Sequence, residues 1–149
     1  LPIRVDETWN DQPVDETRNL RSNIAGMRVL LVEDNEINCE IVQFMLEDAG
    51  AEVVTACDGK AAVDTFAGTA PGTFDCVLMD LMMPRMSGYE ATRMIRHMDR
   101  ADANLPIIAL SANAFEEDIA MAKEAGMNEH LAKPVDIRKM FRVMSRLSR

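Results

Sequence analysis

Five short apolar runs, each followed by a stretch with helical features, place the strongest constraint on the fold of this chain. The runs are MRVLLV (27–32), AEVVTA (51–56), FDCVLMD (74–80), LPIIALS (105–111) and a short one at 128–132. Strict alternation of apolar strands and helices predicts an α/β fold, in which a five-stranded parallel sheet carries helices on both faces. The order 2-1-3-4-5 is one of the two common strand orders of such sheets, and right-handed crossovers leave few others.

The first and last predicted helices carry clear boundary signals. Asn35 is a residue type favoured at helix N-caps, and Gly50 ends the helix that follows it. Residues 136–147 predict an amphipathic helix capped by Asp136. Four apolar residues give the first helix its periodicity: Ile37, Ile41, Phe44 and Met45.

Residues 1–26 differ in texture from the rest of the chain. They are polar, acidic and aperiodic, and they include two prolines. This composition predicts a largely irregular linker, because it offers too little apolar surface to offset the entropy of ordering. Residues 27–149 then form one domain, which suits the length of 149 residues.

Composition excludes several classes of function. A formal net charge of -9 argues against a nucleic-acid surface, which needs clustered Lys and Arg. Cys39, Cys57 and Cys76 have no metal-type spacing, and this predicts reduced thiols in a cytoplasmic setting. Without an apolar run of roughly 18 residues, we expect no direct membrane contact by this domain, whether or not its parent protein is membrane-anchored.

Polar residues stand at the carboxyl ends of four predicted strands. Glu33 and Asp34 follow the first strand, Asp80 ends the third, Ser111 ends the fourth and Lys133 follows the fifth. The second strand offers no obvious candidate. Since strands 1, 3 and 4 are neighbours in the predicted order, the three carboxylates should converge. Carboxylates in one crevice raise each other's pKa unless a cation neutralises them.

This arrangement suits phosphoryl transfer. Mg²⁺ fits the carboxylates, because it uses one or two of them plus waters and leaves room for a phosphate. A phosphoryl group on Asp80 would also meet the Lys133 ammonium and the Ser111 hydroxyl, and such catalysis rests on positioning and charge stabilisation. Taken singly, Asp34 and Ser111 also fit as caps and Lys133 as a solvated lysine, so the prediction depends on their joint placement.

Four stretches between Met27 and Leu147 carry a family resemblance: VLLVEDNEIN, VLMDLMMPRMSGYEATRMIR, PIIALSANA and LAKP. In this order they resemble the receiver domain of two-component response regulators, a flavodoxin-like (βα)5 fold. The stretches EDNEIN and SANAFEED are similar in particular to receivers attached to hybrid sensor histidine kinases. The resemblance implies a phosphorelay domain that catalyses its own phosphorylation from a phosphohistidine, in a parent protein that is a hybrid kinase.

The resemblance also implies a role for each matching position at the metal. Asp80 would be the phospho-acceptor and a metal ligand. Asp34 would bind Mg²⁺ (or Mn²⁺) directly, and Glu33 would act mainly through water. The backbone carbonyl of Met82 would be a further ligand.

The remaining matching positions concern the phosphoryl group and the conformational change that phosphorylation would cause. Ser111 would hydrogen-bond one phosphoryl oxygen, and Lys133 would pair with another, aimed by a cis bond to Pro134. Receivers usually carry Phe or Tyr three residues before this lysine, where the chain has His130. That ring either turns inward or sits outside and leaves the switch uncoupled. Phosphorylation is implied to switch the face made by the fourth helix, fifth strand and fifth helix.

The implied partners are a histidine kinase or phosphotransfer domain, together with a second copy of the chain across that face. Two alternatives stand beside this interpretation. A haloacid-dehalogenase-type phosphatase needs an Asp two residues after the nucleophile, where this chain has Met82. A phosphorylation-independent binding module usually lacks part of the acidic pair, acceptor or lysine, all of which are present. Nucleotide binding has no support, since neither GxGxxG nor GxxxxGK[ST] occurs.

Overall fold

The computed structural model describes residues 18–112 and 115–147. Strands and helices alternate in the order β1 (Arg28–Val32), α1 (Glu36–Asp48), β2 (Glu52–Ala56), α2 (Gly59–Ala67), β3 (Cys76–Asp80), α3 (Gly88–Arg96), β4 (Ile107–Ser111), α4 (Glu116–Ala125), β5 (Glu129–Ala132) and α5 (Ile137–Leu147). The five strands form one parallel sheet in the order β2-β1-β3-β4-β5. The predicted fold class and strand order are thereby confirmed.

The sheet separates two hydrophobic clusters. Helices α2, α3 and α4 cover one face, and α1 and α5 cover the other. Every residue of β3 and β4 is buried, as expected for inner strands of a parallel sheet with both faces covered. The acceptor candidate at the end of β3 is therefore held by a rigid, fully packed strand.

The N-terminal segment is more ordered than its composition predicts. Residues 18–24 are helical and pack on the α1–α5 face. Ile24 is fully buried there, and Asn23 Nδ2 donates a hydrogen bond to Ser145 Oγ at 2.7 Å. The prediction of an irregular linker is wrong for this part, because Ile24 and Leu20 pack on the hydrophobic cluster and Arg21 pairs with Asp48 of α1. The remainder of that predicted linker, residues 1–17, lies outside the described residues.

Helices α1 and α5 lie on the same face of the sheet but bury different kinds of residue. In α1 the buried positions are Val42 and Leu46. Ile37, Ile41 and Phe44 are 68%, 49% and 69% exposed, and we call these three the exposed α1 stripe. Most of the residues that gave α1 its apolar periodicity therefore face away from the core. Helix α5 instead buries its apolar stripe: Met140, Phe141, Val143 and Met144.

Helices α1 and α5 begin at the caps that the sequence predicts. Asn35 Oδ1 accepts a hydrogen bond from Asn38 N–H at 3.0 Å at the start of α1. Asp136 Oδ1 accepts one from Arg138 N–H at 2.9 Å at the start of α5. Across the described ranges, no helix has the length and apolar character needed to cross a bilayer.

Candidate functional site

The carboxyl ends of β1, β3 and β5 bring three carboxylates and one lysine together. Carboxylate oxygens of Glu33, Asp34 and Asp80 all lie within 4.8 Å of one another. Lys133 Nζ lies 2.7 Å from Glu33 Oε1 and 3.2 Å from Asp80 Oδ2. The convergence expected from the strand ends is thus present for these four residues.

Burial differs sharply among these four side chains. Glu33 and Asp80 expose 2% and 7% of their side chains, and Lys133 exposes 19%. Asp34, by contrast, is exposed. The site therefore has a closed floor, where two carboxylates share one ammonium, and an open side at Asp34 through which a ligand can enter.

The crowding of charge shows in the ionisation of Asp80. The pKa of Asp80 is raised to about 7, and burial is the largest cause. Hydrogen bonding and charge from Glu33, together with a hydrogen bond with Asp34, also contribute to this increase, whereas the charge of Lys133 opposes it. Burial lowers the pKa of Lys133, but the Glu33 hydrogen bond and the nearby carboxylates outweigh it and raise that pKa overall. The lysine therefore stays charged at neutral pH, whereas Asp80 needs a further cation to be fully ionised.

The loop after β3 packs closely against Asp80. Met82 N–H donates to Asp80 Oδ1 at 3.4 Å, while the Met82 side chain is 77% exposed. A Cβ at Gly88 would lie 2.2 Å from the Asp80 carbonyl oxygen, so no other residue fits where the loop ends. The backbone that carries the Met82 carbonyl is held at both ends by these contacts.

Ser111 and Lys133 are linked through the backbone of neighbouring strands. Ser111 is the last residue of β4 and is 6% exposed. Its carbonyl oxygen accepts a hydrogen bond from Lys133 N–H at 2.8 Å. The peptide bond between Lys133 and Pro134 is cis. The hydroxyl-bearing strand and the lysine-bearing loop are therefore fixed relative to each other.

His130 is a residue of β5, and its side chain lies on the side of the sheet that faces α4. It pairs with Ala109 in the β4–β5 register, and Ser111 pairs with Ala132. Because side chains alternate along a strand, His130 and Ser111 project from the same face of the sheet. The half-buried His130 ring lines a small cavity of about 20 Å³ against α4. Neither extreme that the sequence left open, fully inward or fully outside, describes this position.

Sequence reasoning missed two features beside the site. A cleft of about 120 Å³ adjoins Glu33 and Lys133, and Ile41 of the exposed α1 stripe lines it. An ion pair joins Asp58, in the turn between β2 and α2, to Arg85 in the loop after β3. Apolar periodicity could not reveal the first, because it does not say which stripe is buried. The Asp-Gly pair at 58–59 indicated only a turn into a helix.

Comparison with known protein families matches residues 29–145 to the response regulator receiver domain. Among curated proteins, the sensor protein GacS of Pseudomonas syringae pv. syringae is 43% identical over 119 residues. That alignment covers 78% of this chain but 13% of GacS. The chain therefore spans a small part of the length of the relative it matches.

Two solved structures extend the comparison. The receiver domain of sensor histidine kinase PA1611 from Pseudomonas aeruginosa PAO1, with a magnesium ion coordinated in its active site cleft, is 39% identical with a TM-score of 0.75, covering 83% of this chain and 98% of that chain. A chain in the co-crystal structure of the Saccharomyces cerevisiae histidine phosphotransfer protein Ypd1 and the receiver domain of Ssk1 is 28% identical with a TM-score of 0.73, covering 83% and 90%. With its family match, sheet order and converging carboxylates, the chain belongs to the response regulator receiver domain family.

Proposed function

We propose that Asp80 accepts a phosphoryl group from a phosphohistidine, in a Mg²⁺-dependent reaction that forms the receiver step of a two-component phosphorelay. One observation carries this proposal. Asp80 ends the fully buried strand β3 and meets two further carboxylates within 4.8 Å and the Lys133 ammonium at 3.2 Å. A carboxylate nucleophile set in such surroundings matches the requirements for aspartyl phosphate formation.

The donor set fits Mg²⁺. The three clustered carboxylates offer the hard oxygen ligands that this ion prefers, and the exposed Asp34 leaves the open side needed for waters and a phosphate. Asp34 and Asp80 would hold the ion directly, with the Met82 carbonyl, and Glu33 would act through water; Mn²⁺ would serve as well. When bound, the ion neutralises charge on the carboxylates and on the phosphoryl oxygens. The magnesium in the PA1611 receiver cleft supports this assignment.

In the proposed reaction an Asp80 oxygen attacks the phosphorus of the phosphohistidine. A P–O bond forms as the P–N bond breaks, and the departing imidazole takes up a proton from solvent. Lys133 Nζ, now 3.2 Å from Asp80 Oδ2, would turn to a phosphoryl oxygen while its 2.7 Å contact with Glu33 keeps it in place. The Ser111 hydroxyl would donate to another phosphoryl oxygen. Each of these contacts stabilises charge on the transferring group.

Phosphorylation would be read out on the face formed by α4, β5 and α5. Movement of Ser111 toward the phosphoryl group would change the space next to His130, since both side chains project from the same side of the sheet. His130 lies against α4, so a change in its position would alter that face. A downstream protein or a second copy of the chain would recognise the altered surface.

The phosphodonor would be a histidine kinase or a phosphotransfer domain. A protein donor has to cover the open side of the site to bring a histidine to Asp80. The cleft shared by Glu33, Lys133 and Ile41 leads from the site to the exposed α1 stripe, which offers an apolar contact to such a protein. The match to a chain co-crystallised with a histidine phosphotransfer protein supports this kind of partner.

The parent protein would be a hybrid histidine kinase with this domain in the cytoplasm. The similarity to GacS supports this, although this chain corresponds to only 13% of that protein. A phosphorylation-independent binding module is the competing function, and a test of phosphoryl uptake separates the two.

The test is intact mass spectrometry after incubation with phosphoramidate, a small donor that carries the same P–N bond. We expect the wild type to gain one phosphoryl group with Mg²⁺ and none with chelator. Asp80→Asn should gain none, and Asp99→Asn, which changes an exposed aspartate elsewhere, should behave as the wild type. A folded wild type that gains no phosphoryl group would favour the phosphorylation-independent module.

A further inference from the structure

The loop between β3 and α3 has an unusual backbone at Arg85. Within the described ranges, Arg85 is the one residue other than glycine with a positive φ, at 67°. Met86 N–H donates to the Pro84 carbonyl at 2.7 Å, which closes a three-residue turn with Arg85 at its centre. Turns of this kind with positive φ are rare and strained, and they persist where the surroundings hold them.

Asp58 is the group that holds this turn. The Arg85 guanidinium pairs with the Asp58 carboxylate, whose side chain is only 3% exposed. Asp58 also caps α2, since its Oδ1 accepts a hydrogen bond from Ala61 N–H at 2.8 Å. The Ala61 hydrogen bond first, and then Arg85, hold the pKa of Asp58 below its usual value. The carboxylate therefore stays ionised and fixed in direction when it meets Arg85.

The backbone of the same loop packs directly on α2. A Cβ at Gly59 would lie 2.4 Å from the Met86 carbonyl oxygen, so only glycine lets the loop approach this closely. Together with the ion pair, this contact ties the middle of the loop to the start of α2. The sequence predicted no site residue between β2 and α2, yet this segment contacts the loop on which the site depends.

We propose that the Asp58–Arg85 pair is a positioning device, which fixes the turn at Arg85 and thereby the backbone from Asp80 to Gly88, including the Met82 carbonyl offered to Mg²⁺. The inference rests on the proposed function, because it concerns the same metal. Arg85 is 67% exposed, but its partner Asp58 is 3% exposed, so loss of the pair can lower stability as well as metal affinity. The positioning role is therefore tested by measuring Mg²⁺ affinity and melting temperature separately.

Calorimetric titration with Mg²⁺ tests this role. Arg85→Gly removes the guanidinium but accepts the positive φ, and Asp58→Asn removes the charge but can still cap α2. Each should weaken Mg²⁺ binding about tenfold, as loss of a residue that orients a metal ligand does. The double variant should bind no more weakly than either single one. Arg85→Lys, which keeps the charge, should retain most of the affinity.

Lys60→Gln is the matched control, since it breaks the exposed Lys60–Asp64 pair on the same helix. It should leave the Mg²⁺ affinity unchanged. If the wild type binds Mg²⁺ and takes up phosphate, but Arg85→Gly and Asp58→Asn bind the ion equally well, the positioning role is wrong and the proposed function stands. If the two variants lower only the melting temperature, the pair is merely structural. A folded wild type that neither binds Mg²⁺ nor is phosphorylated would overturn both.

Discussion

Helices α1 and α5 lie on one face of the sheet, yet they use their apolar residues in opposite ways. Helix α5 buries its stripe, with Phe141 only 2% exposed. Helix α1 exposes Ile37, Ile41 and Phe44 and packs through Val42 and Leu46. The two helices also follow opposite halves of the site, because α1 comes after the acidic Glu33–Asp34 pair and α5 after Lys133.

The difference indicates a division of labour between stability and recognition. A buried stripe contributes to folding, whereas an apolar stripe that stays in water costs free energy unless a partner covers it. Ile41 of the exposed α1 stripe lines the cleft that adjoins Glu33 and Lys133. The buried stripe places α5 in the core, and under the proposed function α1 would be the helix that the phosphodonor approaches.

The largest expected effect separates the two phenylalanines. Phe141→Ala should lower the free energy of unfolding by about 3–5 kcal/mol, because it opens a cavity in a packed cluster. Phe44→Ala should change it by less than about 0.5 kcal/mol, because the ring is already in water. Urea denaturation measures both. Equal losses would show that α1 and α5 contribute to the core alike.

The next prediction concerns Lys133, the charged residue that precedes α5. Lys133→Met leaves the buried Glu33 and Asp80 carboxylates without their ammonium, and in chelator it should destabilise the fold by about 2–3 kcal/mol. Added Mg²⁺ should restore part of this loss, because it neutralises the same carboxylates. Lys139→Met, an exposed lysine on α5, is the control and should stay within about 0.5 kcal/mol of the wild type. An equally small loss of stability in Lys133→Met would mean that the Lys133 ammonium does not stabilise the buried carboxylates.

The ionisation of Asp80 should make the stability of the fold depend on pH. The pKa of Asp80 rises from 3.8 to about 7 on folding, so the folded state binds more protons and unfolding becomes easier as pH rises through this window. In chelator, Asp80→Asn should therefore match the wild type near pH 4 and exceed it by about 1–2 kcal/mol at pH 8, a range reduced for solvent screening. Mg²⁺ should close the gap by stabilising the wild type. A difference in the free energy of unfolding that does not grow with pH would contradict a raised pKa of Asp80 in the folded state.

The smallest expected effect is on the rate of phosphoryl transfer from a protein. The double variant Ile41→Ala/Phe44→Ala should accept phosphate about fivefold more slowly from a phosphorylated histidine phosphotransfer domain, as loss of an apolar contact of about 1 kcal/mol implies. Its rate with phosphoramidate should not change. Unchanged transfer from the protein donor, or equal slowing with both donors, would remove α1 from the docking surface.

The same helices show what a sequence can and cannot predict. Alternating apolar strands and helices predicted the parallel sheet, the order 2-1-3-4-5 was one of the two common orders for such a sheet, and residues at strand ends predicted Glu33, Asp34, Asp80 and Lys133 as one cluster. Periodicity identified α1 as a helix but not its buried stripe, since apolar residues lie on more than one side of it. The docking of residues 18–24 and the pairing of Arg85 with Asp58 were missed because both depend on contacts between segments distant in sequence.

The most direct test of the central claim is to locate the phosphoryl group. After phosphorylation with phosphoramidate and Mg²⁺, borohydride reduction converts an aspartyl phosphate to homoserine, which peptide mass spectrometry assigns to a position. We expect homoserine at position 80 in the wild type and at no position in Asp80→Asn. Homoserine at Asp34, or modification that persists in Asp80→Asn, would contradict the assignment of Asp80 as the acceptor.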